Sequence, residues 1–119
     1  MTAEQFNESV LKRIDVCLKT LCTKAEEYAG PIDRLHNFKT AAKLQNCTPI
    51  TALGGMMCKH TVSVYDLIRD HEQEKTIPLE LWYEKIGDSI NYLLLLTALV
   101  EEHNKLKIKE EEVSNGTKK

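Results

Sequence analysis

"WYEKIGDSINYLLLLTALVEE", residues 82–102, is the stretch on which the fold turns. Its second half reads as an uninterrupted core helix, whereas its first half carries Glu84, Asp88 and Asn91. Helical positions advance by about 100° per residue, so residues 84, 88, 91, 95 and 98 share one narrow strip. That strip reads Glu, Asp, Asn, Leu, Ala, polar at one end and apolar at the other. Core packing alone asks for nothing polar there. Gly87 lies in the same stretch, and glycine inside a helix costs about 1 kcal/mol relative to alanine. It either lets another helix approach closely or leaves room for a ligand beside Glu84 and Asp88.

Working outward, Pro78 after Thr76 and Ile77 marks the start of this helix, because a missing amide costs nothing at a first helical turn. The pattern predicts a helix from there to about Lys109, followed by a polar, flexible tail over residues 111–119. Upstream, "Thr48-Pro49" repeats the start signal, with Thr48 as cap. It opens a helix to about Glu74 with Leu53, Met56, Met57, His60, Val64, Leu67 and Ile68 inward. Asp33 is read as the cap of a short helix to about Leu44, whose apolar side is Leu35, Phe38, Ala42 and Leu44.

The N-terminal segment, Ala3 to Glu27, places Phe6, Val10, Leu11, Ile14, Leu18, Leu21 and Ala25 at steps of three and four, the mark of an amphipathic helix. Gly30-Pro31 stops it. Four helices with short joints predict a single all-α bundle over residues 1–110.

The chain has 119 residues, 42% hydrophobic and 29% charged, with a formal net charge of −2. Those values suit one small domain. The near-neutral balance gives no reason to expect duplex nucleic acid or an anionic membrane as partner. The longest apolar run, around Leu93–Leu96, falls far short of the roughly 20 residues of a membrane span. The N-terminus has an early Glu and no apolar signal region, so the expected location is the cytoplasm. Cys17, Cys22, Cys47 and Cys58 form no CxxC pair, the spacing that would point to metal or redox chemistry. They read as free thiols in a reducing compartment rather than as zinc ligands.

Bundles build sites from polar side chains on facing helices, and three groups qualify. Glu84, Asp88 and Asn91 form one, and Lys59, His60, Ser63 and Asp66 a second, with Asp70 a turn further. The third is the joint between the first two helices, with Lys24, Glu27, Tyr28, Asp33, Arg34, His36 and Asn37. Carboxylates one turn apart, as at Glu84 and Asp88, share a hard divalent cation such as Mg²⁺, which keeps waters for substrate phosphates. Lys59, Arg34 and Lys24 would pair with those phosphates, and the metal would acidify an attacking water. Plainer readings stand beside these. An i,i+4 Glu–Asp pair is most often solvated surface, His60 a hydrogen-bonded core residue, and Lys59 with Asp66 a surface charge pattern. Tyr28 and Phe38 suit packing as well as base stacking.

The series "KAEEYAG…DRLHNF", "Thr48-Pro49…Met56-Met57-Cys58-Lys59-His60…Asp66" and "Glu84-Lys-Ile-Gly-Asp88…Asn91-Tyr92" resembles small phage-borne proteins related to the all-α, MazG-like nucleotide pyrophosphohydrolases. The likeness spans about residues 24 to 100. It implies a helical bundle, commonly dimeric or higher, that cleaves nucleoside triphosphates to monophosphate and pyrophosphate with Mg²⁺ held by EExxE and ExxD motifs. On this chain Glu84 and Asp88 stand for the second motif, spaced ExxxD rather than ExxD. The EExxE motif is missing, and its turn reads Lys59-His60-Thr-Val-Ser63-Val-Tyr-Asp66. Cations in that position would repel Mg²⁺ and suit a phosphate.

Three functions follow as expectations. The first is a Mg²⁺-dependent nucleotide pyrophosphohydrolase, with Glu84 and Asp88 catalytic and Glu84, Asp88, Glu27 and Asp66 on the metal. The second is a phage accessory protein of the host cytoplasm that binds a nucleotide or nucleotide signal without turnover, through Arg34, Asn37, Lys59, His60, Asn91 and Tyr28. The third is a non-enzymatic, partner-binding or homo-oligomeric bundle in which the same groups form a buried network.

Overall fold

The computed structural model describes the backbone of residues 1–29 and 33–117, and the side chains of these except 24–29 and 117. Among the described residues the chain is all-helical, with α1 (Ala3–Ala29), α2 (His36–Gln45), α3 (Pro49–Glu72) and α4 (Leu79–Thr117). The expected Gly30-Pro31 stop lies outside the described residues.

Local chemistry explains where the helices begin and end. At the start of α1, Thr2 and Gln5 make a reciprocal capping box. Gln5 N donates to Thr2 Oγ1 at 3.1 Å and Thr2 N donates to Gln5 Oε1 at 2.8 Å. Thr48 caps α3 by accepting from Thr51 N at 3.2 Å. Pro49 takes the first helical position, where its fixed φ suits the helix. The residue capping α2 is Leu35, which offers no side-chain bond. Asp33 works two residues earlier: its Oδ1 accepts from Leu35 N at 3.0 Å, an Asx-type turn that launches the helix. Asn46 closes α2 in the left-handed region at φ 55°, where asparagine is tolerated better than most residues.

Helices α3 and α4 form an antiparallel hairpin. His71 meets Trp82 edge-on at 6.4 Å near the turn, and His60 lies against Tyr92 further along. Leu35, Phe38, Leu53 and Leu99 make the buried core, with Ile50, Met56, Met57, Tyr92, Leu95, Leu96 and Ala98 packed around it. That core belongs to α2, α3 and α4. One polar clasp reinforces it: Lys39 Nζ donates to Asp33 Oδ2 at 2.8 Å and to Glu102 Oε1 at 2.7 Å, tying the front of α2 to α4.

Three sequence expectations are corrected. Leu44 is 83% exposed, not part of the apolar side of α2, and Ile68 is half out of the α3 core face. Helix α4 also runs on to Thr117, through the stretch expected to be a flexible tail. That stretch has no helix breaker before Gly116, and runs of Lys and Glu are good helix formers. Among the described residues no helix is long and apolar enough to cross a membrane.

Helix α1 stands apart from this core. It leans mainly on α4 through a narrow edge, with Arg13 3.8 Å over the Tyr83 ring and buried Cys17 against Gly87. Its main apolar stripe, Phe6, Val10, Leu11, Ile14 and Leu18, is exposed.

Candidate functional site

Antiparallel pairing of α3 and α4 brings two of the polar groups of the sequence together. His60 projects from the middle of α3, and its ring lies 4.4 Å from Tyr92, inclined by 32°. Its Nδ1 is 3.6 Å from Asp88 Oδ2, too long for a hydrogen bond and close enough for charge to matter when the imidazole is protonated. Phe38 of α2 meets the Tyr92 ring edge-on at 6.2 Å. Burial, and then the negative charge of Asp88, push the Tyr92 hydroxyl above its usual range, so it stays protonated as a donor.

Beside this stack opens a groove of about 580 Å³, lined by Gln45, Ala52, Gly55, Met56, Lys59, His60 and Tyr92. Lys59 is exposed at its edge. Gly55 contributes space: a Cβ built there would meet nothing within 4 Å. On α4, Asn91 is 9% exposed with its Oδ1 unpaired, and Ser89 Oγ is likewise buried without a partner. An unpaired buried polar atom costs on the order of 1–3 kcal/mol, so each of these two atoms calls for a partner.

The expected residues divide. His60 faces Asp88, Lys59 lines the groove beside His60, and Asn91 is buried one turn from Asp88 on α4. Glu84 is out at solvent, its Oε1 3.9 Å from Lys85 Nζ. Asp66 pairs with Arg69 at 3.3 Å on the outer part of α3. Arg34 and Asn37 are exposed at the front of α2, whereas Gln45 from its far end lines the groove. Glu27 and Tyr28 lie outside the described side chains. Among the described residues no three of His, Cys, Asp and Glu gather to hold a metal ion. These donors alone do not make a Mg²⁺ site, since a hard dication wants several oxygen ligands and its neighbours here include Lys59 and His60.

Sequence reasoning missed Gln45, Gly55 and the part played by Tyr92. The signals were present: Tyr92 follows Asp88 by one helical turn, and two successive glycines inside α3 serve no turn. Gly87, by contrast, does not border this groove. It faces α1, where an added Cβ would sit 3.9 Å from Cys17 Sγ.

No family model, curated protein or solved structure matches the chain.

Proposed function

We propose that this chain binds a nucleotide or nucleotide-derived small molecule in the groove between α3 and α4 and holds it without turnover, on a MazG-like scaffold that works as a homo-oligomer. The observation that carries this reading is the His60–Tyr92 stack at the wall of a roomy groove with Lys59 at its edge. An aromatic wall accepts the face of a base, and a flexible ammonium pairs with phosphate as a point charge. Gln45 offers both a donor and an acceptor to a base edge. Asp88 acts through His60 as a positioning residue. The sparse carboxylate set favours binding over metal-assisted hydrolysis, the phage-accessory reading of the resemblance.

Isothermal titration against linear and cyclic nucleotides, with and without Mg²⁺ and with chromatography of the products, tests this. Saturable binding that is indifferent to Mg²⁺ and leaves the nucleotide intact supports it. Binding that needs Mg²⁺ and yields a monophosphate would make the chain a pyrophosphohydrolase instead. Silence across the panel would leave the partner-binding bundle, a second reading favoured by the exposed apolar stripe of α1.

A further inference from the structure

We infer that the exposed apolar faces of α1 and α4 pair with the same faces of a second copy of this chain, closing a four-helix bundle that one chain leaves half built. This pairing rests on the homo-oligomer reading above and gives it a surface, and it does not depend on the groove's ligand. It begins from direction. Arg13 covers Tyr83, and four residues later Cys17 touches Gly87, so α1 and α4 run parallel, side by side. Two parallel right-handed helices share one rotational sense. On α1, the strip of Phe6, Val10, Ile14 and Leu18 lies about a quarter-turn from the edge resting on α4. On α4, the strip of Ile86, Leu93 and Val100 lies on the side of the cylinder away from the Asp88–Leu95 strip. Carried through with the same sense, both strips emerge on one side of the α1–α4 layer, opposite the α2–α3 core. The result is one continuous apolar face, with Leu11 68%, Ile14 54%, Leu18 56% and Leu93 54% exposed.

The surface area says how much must be covered. A compact monomer of 13.6 kDa exposes about 6,600 Å², whereas this chain exposes 9341 Å². The excess is roughly 2,700 Å², part of it on the polar end of α4. Its radius of gyration is 18.7 Å, against about 13.5 Å for a compact domain of this length. Obligate homodimers bury on the order of 2,000–5,000 Å² in total, so a second copy fits the deficit. A two-fold axis makes such a patch self-complementary, because every contact of one residue with another is repeated with the two copies exchanged. Layering α1 and α4 on their copies gives the four-helix packing that parallel or antiparallel neighbours adopt.

Light scattering coupled to size-exclusion chromatography on the full chain tests the pairing. The expected mass is twice 13.6 kDa, falling by half in Ile14→Glu and in Leu93→Glu with helical circular dichroism retained. Leu44→Glu, on an exposed leucine of α2 away from this face, should stay dimeric. A wild-type chain that is monomeric at about 100 µM, well above obligate-dimer dissociation constants, overturns the inference. So does an oligomer that survives both glutamates or is dispersed by Leu44→Glu. Should the glutamate variants unfold, a benzophenone amino acid at Leu11 decides. Cross-links between copies on α1 or α4 support the pairing, and cross-links confined to α2 or α3, or none between copies, reject it.

Discussion

The His60 ring lies 4.4 Å from that of Tyr92 while its Nδ1 stands 3.6 Å from Asp88 Oδ2, so one imidazole joins an aromatic wall to a carboxylate. This places a group that stacks and a group that carries charge within one turn of α4, while Lys59 lines the groove beside His60. If the groove holds a nucleotide, the contributions of Lys59 and Asp88 separate by substitution. Lys59→Ala removes a charge-assisted contact and should weaken affinity about tenfold. Asp88→Asn leaves the groove wall intact and should cost only a few-fold. In titrations, equal affinity of Lys59→Ala and wild type would sink the phosphate role. A complete loss of turnover in Asp88→Asn, if turnover exists at all, would restore the hydrolase.

Gly87 faces Cys17 of α1. A Cβ there meets Cys17 Sγ at 3.9 Å, an ordinary van der Waals distance. Gly87→Ala should therefore stabilise the chain by about 0.5–1 kcal/mol, through a lower entropy of the unfolded state. Thermal denaturation reads this directly, and a lower melting temperature would mean that the helices come closer than this contact allows.

How much of this was legible in the sequence depends on the range of the interaction. The Thr48-Pro49 start was readable because capping chemistry is local to four residues. The apolar stripe of α1 was readable as a stripe, since a 3.6-residue period shows which side is apolar. The same period does not say what covers that side, and among the described residues of one chain it stays exposed. The meeting of His60 and Asp88 required the register of the α3–α4 hairpin, which periodicity leaves free. The Lys39 clasp left no local signal, because its partner Glu102 lies 63 residues away. Leu44 misled for a simpler reason: α2 has only 10 residues, too few for a stripe to be defined well.

The Lys39 clasp gives the chain a pH dependence whose sign is fixed. The hydrogen bond from Lys39, followed by that from Leu35 N–H, holds the Asp33 carboxyl below its ordinary value of 3.8. A depressed carboxylate contributes stability above that value and loses it as pH falls through the lowered one. Bonds to Asp33 and then Glu102 hold the Lys39 ammonium above its ordinary 10.5. That contribution is complete below the ordinary value and fades as pH rises through the raised one. The clasp is thus whole across the neutral range. Its ions are a third or more exposed, so solvent screening holds it to a few tenths to about 1 kcal/mol. Lys39→Met should lower the melting temperature at pH 7 and converge with wild type in acid, well below the carboxylate range. Curves that stay parallel down to that point would show that packing of the Lys39 stem, rather than its charge, matters.

Cys17 and Cys58 should differ sharply in reactivity. Cys58 is exposed on α3, whereas Cys17 is 4% exposed between α1 and α4. Burial pushes the Cys17 thiol up, opposed by the Arg13 guanidinium and assisted by Asp88. Since the thiolate is the nucleophile, both access and ionisation slow Cys17. Timed alkylation at pH 8 with peptide mass spectrometry should label Cys58 at least about tenfold faster. Denaturant should abolish the difference. Equal rates in native buffer would mean that α1 swings off α4 on the labelling timescale, and the α1–α4 layer would then be too loose to present one face to a second copy.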